Sequence, residues 1–92
     1  MIRYTAFCKI VELGSFTRAA EVLGYTQAAI SQMVRSLEAE LKLTLLNRTR
    51  SGIRLTPEGE LVYPYIQKTV ACERALADKA REIYDLGAGE IR

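Results

Sequence analysis

Histidine is absent from the 92 residues, which removes the usual general base and the commonest metal ligand. Cysteine occurs twice, at positions 8 and 72, with no Cys-x-x-Cys and no metal-binding spacing. Cys8 falls on the apolar side of the first helical pattern, a packing position, and Cys72 on a much later one. No apolar run is long enough to cross a bilayer, and Arg3, Lys9 and Glu12 interrupt any signal-peptide core. A cytoplasmic location is the expectation. With no glycine-rich phosphate loop and no paired carboxylates in one site, an enzyme is the least supported class. No cofactor and no metal site is expected.

Carboxylates are also missing locally, from residues 22–37 and again from 41–57. The net charge is only +2, but residues 1–57 hold eight basic groups against four acidic ones. Residues 58–92 hold five against seven. The segment 41–57 carries Lys42, Arg48, Arg50 and Arg54 with no opposing charge. Such an asymmetry suits a polyanion meeting the front half, against the plainer alternative of a solvated basic loop.

What is present is mostly helical pattern. Tyr4, Phe7, Cys8 and Val11 recur at the spacing of one helical face. Gly14 ends that helix and Ser15 caps the next, where Phe16, Ala19, Ala20 and Leu23 repeat the spacing. Gly24 supplies a stop, and Thr26 caps a third helix with Ile30, Val34, Leu37 and Leu41 facing inward. Its other side displays Ala28, Ser31, Gln32 and Arg35, flanked by Gln27. Leu45-Leu46-Asn47-Arg48 and Ile53-Arg54-Leu55 pair across the turn signal Arg50-Ser51-Gly52. Thr56, Pro57 and Glu58 then open a helix running to residue 86, with Pro64 as its one discord, and Gly87-Ala88-Gly89 reads as a linker.

Helix, tight turn, helix and basic hairpin form the plan of a winged helix-turn-helix. The expected fold is mainly α: three helices and a two-stranded wing, followed by a long helix. The second helix of such a pair fits the DNA major groove and reaches base edges from near its N-terminus. Phosphates lining the groove penalise Asp and Glu, glutamine pairs with adenine, and arginine forks onto guanine. Gln27, Ser31, Gln32 and Arg35 are therefore expected in the groove, with small Ala28 and capping Thr26 beside them. Thr17 and Arg18 are expected on phosphate, and Arg50 and Ser51 at the wing tip on backbone or minor groove. A solvated helix face is the alternative for the recognition surface, and Arg48 is open equally to a DNA contact with the wing and to a pair with Glu38 inside the domain.

The run Gly14-Ser15-Phe16-Thr17-Arg18-Ala19-Ala20, then Leu23, Gln27, Ala29-Ile30-Ser31, Leu37-Glu38 and Leu41, resembles the N-terminal domain of LysR-type transcriptional regulators. Leu45-Leu46-Asn47-Arg48 and Leu55-Thr56-Pro57-Glu58-Gly59 continue the likeness. The resemblance implies dimers or tetramers on interrupted palindromes of double-stranded DNA, with long linker helices paired antiparallel. It also implies a C-terminal domain that senses a small molecule, missing here, with Glu90-Ile91-Arg92 as the start of its first strand. Two positions depart from the family pattern: Ala28 stands where proline is usual and Gln32 where arginine is common. Base preferences carried by those positions do not transfer.

The expected organisation is a winged domain over 1–57, a linker and dimerisation helix over 58–86, and a hinge over 87–92. On the last helix Val62, Ile66, Val70, Ala77, Ala80 and Tyr84 form one apolar stripe, with Leu61, Tyr65, Cys72, Leu76 and Ile83 beside it. The arc they form is wider than a single seam needs, so its N-terminal part is expected to pack on the winged domain and the rest to meet a second copy. A homodimer is expected through Val62, Ile66, Val70, Leu76, Ala77, Ala80, Ile83 and Tyr84. A protein–protein module acting through the long helix is the rival reading, and the acid-free wing argues against it.

Overall fold

The computed structural model describes residues 2–91, with side chains for residues 2–86. Its elements are α1 (Ile2–Leu13), α2 (Phe16–Leu23), α3 (Gln27–Leu41), β1 (Leu46–Thr49), β2 (Gly52–Leu55) and α4 (Pro57–Ile91). The mainly helical winged architecture expected from the sequence is present. The long α4 gives the molecule extents of 58 × 26 × 20 Å.

Local chemistry sets the boundaries. Ser15 accepts the Arg18 N–H at 3.1 Å to cap α2. Gly24, at φ 79°, donates its N–H to the Ala20 carbonyl and closes the helix in the left-handed conformation that glycine adopts without strain. Thr26 accepts the Ala29 N–H at 3.0 Å to start α3. At the head of α4 the buried Thr56 hydroxyl accepts the Gly59 N–H and donates to the Thr44 carbonyl. It thus ties the helix start to the strand approach.

Helix α1 is buried on two sides, where periodicity shows only one. Ala6 and Ile10 join Phe16, Ala19, Ala20, Ile30 and Val34 in a first core formed with α2 and α3. Phe7 and Cys8 join Leu37, Leu45 and Ile66 in a second core beneath α4. Each large side chain fully buried in these cores contributes about 1.5–3 kcal/mol. Phe7 also meets the Tyr63 ring edge-on, with centroids 6.0 Å apart.

Four expectations are corrected. Strand β1 begins at Leu46, one residue late, because Leu45 is wholly buried and its carbonyl accepts the Thr56 N–H at 2.9 Å. Leu41 is exposed, since α3 outruns the core beyond Leu37. Val62, Ile66 and Val70, counted in the dimer interface, pack in the second core of their own chain, Ile66 being only 4% exposed. The part of the arc that packs on the winged body, as expected, thus reaches as far as Val70. Finally, α4 continues past Leu86 through Gly87, Ala88 and Gly89 to Ile91, where a linker and a strand start were expected. Glycine weakens a helix interior by about 1 kcal/mol, which lowers its stability without forbidding it. Arg92 lies outside the described residues.

Burial also separates the two cysteines. Desolvation raises the Cys8 thiol above its ordinary pKa, Glu12 adds to the shift and Lys9 opposes it, whereas Cys72 is exposed. Because the thiolate is the reactive species, alkylation at neutral pH should label Cys72 quickly. Cys8 should be labelled only after denaturation. Mass spectrometry of the native and unfolded chain would check this, and rapid double labelling of the native chain would contradict the placement of Cys8.

Candidate nucleic-acid interface

The first turns of α3 present Gln27, Ala28, Gln32 and Arg35 to solvent, while Ser31 is half-buried at the edge of that face. Ile30, Val34 and Leu37 anchor the opposite side, so packing alone fixes which residues point outward. Thr26 spends its side-chain acceptor on the helix N-terminus but keeps its hydroxyl proton free for another partner. Thr17 and Arg18 lie exposed on the first turn of α2. The α3 N-terminus brings its unpaired N–H groups and positive dipole end to the same region.

The wing stands beside this face. Its register pairs Leu46 with Leu55, Asn47 with Arg54, Arg48 with Ile53 and Thr49 with Gly52. Arg50 and Ser51 form the exposed tip. The tip is tightly wired: the Thr49 hydroxyl donates to the Gly52 carbonyl at 2.9 Å. With that proton committed, the 3.2 Å contact between Thr49 and Ser51 has Ser51 as donor. Ser51 therefore offers lone pairs rather than a proton, which suits a phosphate poorly. Arg50, in contrast, makes no ion pair among the described residues.

Three residues have roles that pattern alone did not reveal. Glu38, the first carboxylate after the gap, accepts the Leu45 N–H at 2.7 Å and the Leu46 N–H at 3.3 Å. It caps the approach to the wing, and no ion pair joins it to Arg48 among the described residues. Arg48 instead lies 4.3 Å from the centre of the Phe16 ring. Arg3 braces the far end of α3, donating to Ser36 at 2.9 Å and pairing with Glu40. No sequence signal pointed to that bridge, because its partners are more than thirty residues apart.

Among the described residues no group of three or more metal-capable side chains gathers, and no helix is long and apolar enough to cross a membrane.

Residues 3–60 match the family described as bacterial regulatory helix-turn-helix protein, lysR family. The nitrogen assimilation regulatory protein nac of Escherichia coli (strain K12) is 45% identical over 79% of this chain. The HTH-type transcriptional regulator CrgA of Neisseria meningitidis serogroup C (strain 8013) is 35% identical over 96% of it. The chain spans 24% and 29% of the lengths of those two relatives. Among solved structures, the BenM_DBD/catB site 1 DNA complex superposes with a TM-score of 0.79 at 32% identity, covering 89% of this chain and 92% of that one. The chain belongs to the LysR family of bacterial helix-turn-helix regulatory proteins.

Proposed function

We propose that the chain binds double-stranded DNA sequence-specifically, as the DNA-reading part of a transcriptional regulator acting as a homodimer in the cytoplasm. The observation that carries this reading is the exposed face of Gln27, Ala28, Gln32 and Arg35, free of carboxylates and flanked by a basic wing. Similarity to a protein solved on DNA supports it. In this reading α3 enters the major groove, Thr17 and Arg18 hold phosphate, and Arg50 reaches the backbone or minor groove. A small-molecule effector acts through a C-terminal domain outside these residues.

Pairing through α4 follows from what its own chain leaves uncovered. Leu76, Ile83 and Tyr84 are 66%, 60% and 72% exposed, and Ala77 and Ala80 lie exposed among them. Leu61 and Tyr65 extend the apolar surface toward the winged body. A second copy aligned antiparallel covers both ends of that surface and places two recognition helices on an interrupted palindrome, with tetramers open to the full-length protein. Half-buried Glu73 makes no ion pair among the described residues, and a basic group of the second copy is its proposed partner.

Selection from random duplexes would give the preferred site and test the reading directly. Gln27→Ala and Arg35→Ala should each cost roughly 1–3 kcal/mol on that site and less on random DNA. Equal losses on both duplexes would show that neither residue reads bases.

A further inference from the structure

Arg48 is a charged residue on the inner face of the wing. Its register partner is Ile53, which packs on the first core, and alternation puts Leu46 and Leu55 on the same face. Its guanidinium lies over the ring of Phe16, the first residue of α2, and Phe16 is itself buried. On one side Arg48 lines a cavity of about 280 Å³ with Ser31, Val34, Arg35 and Glu38 of α3. On the other it lines a cavity of about 250 Å³ with Ser15 and Thr17, Gln27, and Thr49 and Gly52 of the wing. One side chain thus stands between every element that carries a proposed DNA contact. An internal ion pair does not explain it, since the Glu38 carboxylate caps two backbone N–H groups instead. A planar guanidinium stacks on an aromatic face in a way that the point charge of lysine does not reproduce.

We infer that Arg48 is a positioning residue for DNA binding: stacked on Phe16, it fixes the wing against the N-terminal half of α3 so that Arg50 and the reading face engage one duplex together. The inference rests on the DNA-binding reading above. It separates Arg48 from Arg50, which acts on DNA itself, and it makes the contribution of Arg50 conditional on the stack.

A double-mutant cycle on the 92-residue chain tests this, using the duplex recovered by selection and a random duplex as comparator. Arg50→Ala alone should weaken binding to both about tenfold and flatten the salt slope by roughly one unit. Arg48→Lys keeps the charge and loses the stack, and it should also weaken binding to both about tenfold. Added to Arg48→Lys, Arg50→Ala should cost less than about threefold more, because the wing no longer delivers it. Thermal melting should leave Arg48→Lys close to the parental chain, since the side chain is exposed. If it melts below the assay temperature, Arg48→Gln carries the same cycle with a smaller planar group. Parental affinity for Arg48→Lys, or fully additive losses, would overturn the inference. A parental chain without salt-dependent binding would overturn the DNA-binding reading itself.

Discussion

Replacing Gly59 by alanine is expected to destabilise the chain more than any other single-methyl change. A Cβ at this buried position would stand 2.3 Å from the Leu45 carbonyl oxygen and 3.1 Å from a Leu55 methyl carbon. Neither the oxygen nor its backbone can move freely, since the same carbonyl accepts the Thr56 N–H and the Thr56 hydroxyl holds both Gly59 and Thr44. Alanine gains about 1 kcal/mol of helix propensity. Overpacking a tight contact costs typically 1–3 kcal/mol and sometimes more, and here backbone must shift, so the upper end applies. A net loss of about 2 kcal/mol should lower the melting temperature by roughly 8–16 °C in a domain of this size. Circular dichroism melts would measure it, and an unchanged melting temperature would mean that α4 does not press on Leu45 in this way.

Ending the chain after Arg74 should abolish tight binding to the full palindrome while sparing the fold. The cut removes Leu76, Ala77, Ala80, Ile83 and Tyr84, none of which belongs to either core. It retains Val62, Ile66 and Val70, which close the second core over Phe7, Leu37 and Leu45. A cut at Pro57 would be a poorer experiment, because it strips that core and loses binding through unfolding. With the pairing helix shortened, the second half-site no longer binds at high effective concentration, and palindrome affinity should fall about 10²–10⁴-fold. Affinity for an isolated half-site should change little. Anisotropy titrations on both duplexes would decide it: palindrome binding as tight as that of the 92-residue chain would exclude dimerisation through the distal half of α4.

Features written in neighbouring residues were legible from sequence. Ser15, Gly24, Thr26 and the Thr56–Pro57 pair act through hydrogen bonds and dihedrals within one turn, and each sits where its chemistry predicted. The exposed face of α3 was legible because its apolar side is unambiguous. Long-range packing was not. Ala6 and Ile10 look incidental beside Phe7 and Cys8 until two separate cores are seen to claim adjoining sides of α1. The division of the α4 stripe near Val70 depends on how far the winged body reaches, which periodicity does not encode. Glycine misled at one place: Gly14 and Gly24 end helices at positive φ, but Gly87 and Gly89 lie inside α4. The stacking of Arg48 on Phe16 joins residues thirty-two positions apart, which no local signal specified.

The insertion of α1 between the two cores leaves no joint between the groove-reading unit and the long helix. Thr56 and Gly59 clamp the helix start to the strand approach, while Ala6 and Ile10 on one side of α1, and Phe7 and Cys8 on the side next to it, tie both cores to one rod. A twist applied to α4 is therefore passed on through packed side chains rather than absorbed by a loop. Paired as proposed, two such bodies behave as a calliper with stiff jaws, whose opening is set by where the helices cross. One extra base pair between half-sites rotates the far site by about a tenth of a turn, 10–10.5 base pairs making a full one. A calliper without a wrist must bend either itself or the DNA to follow.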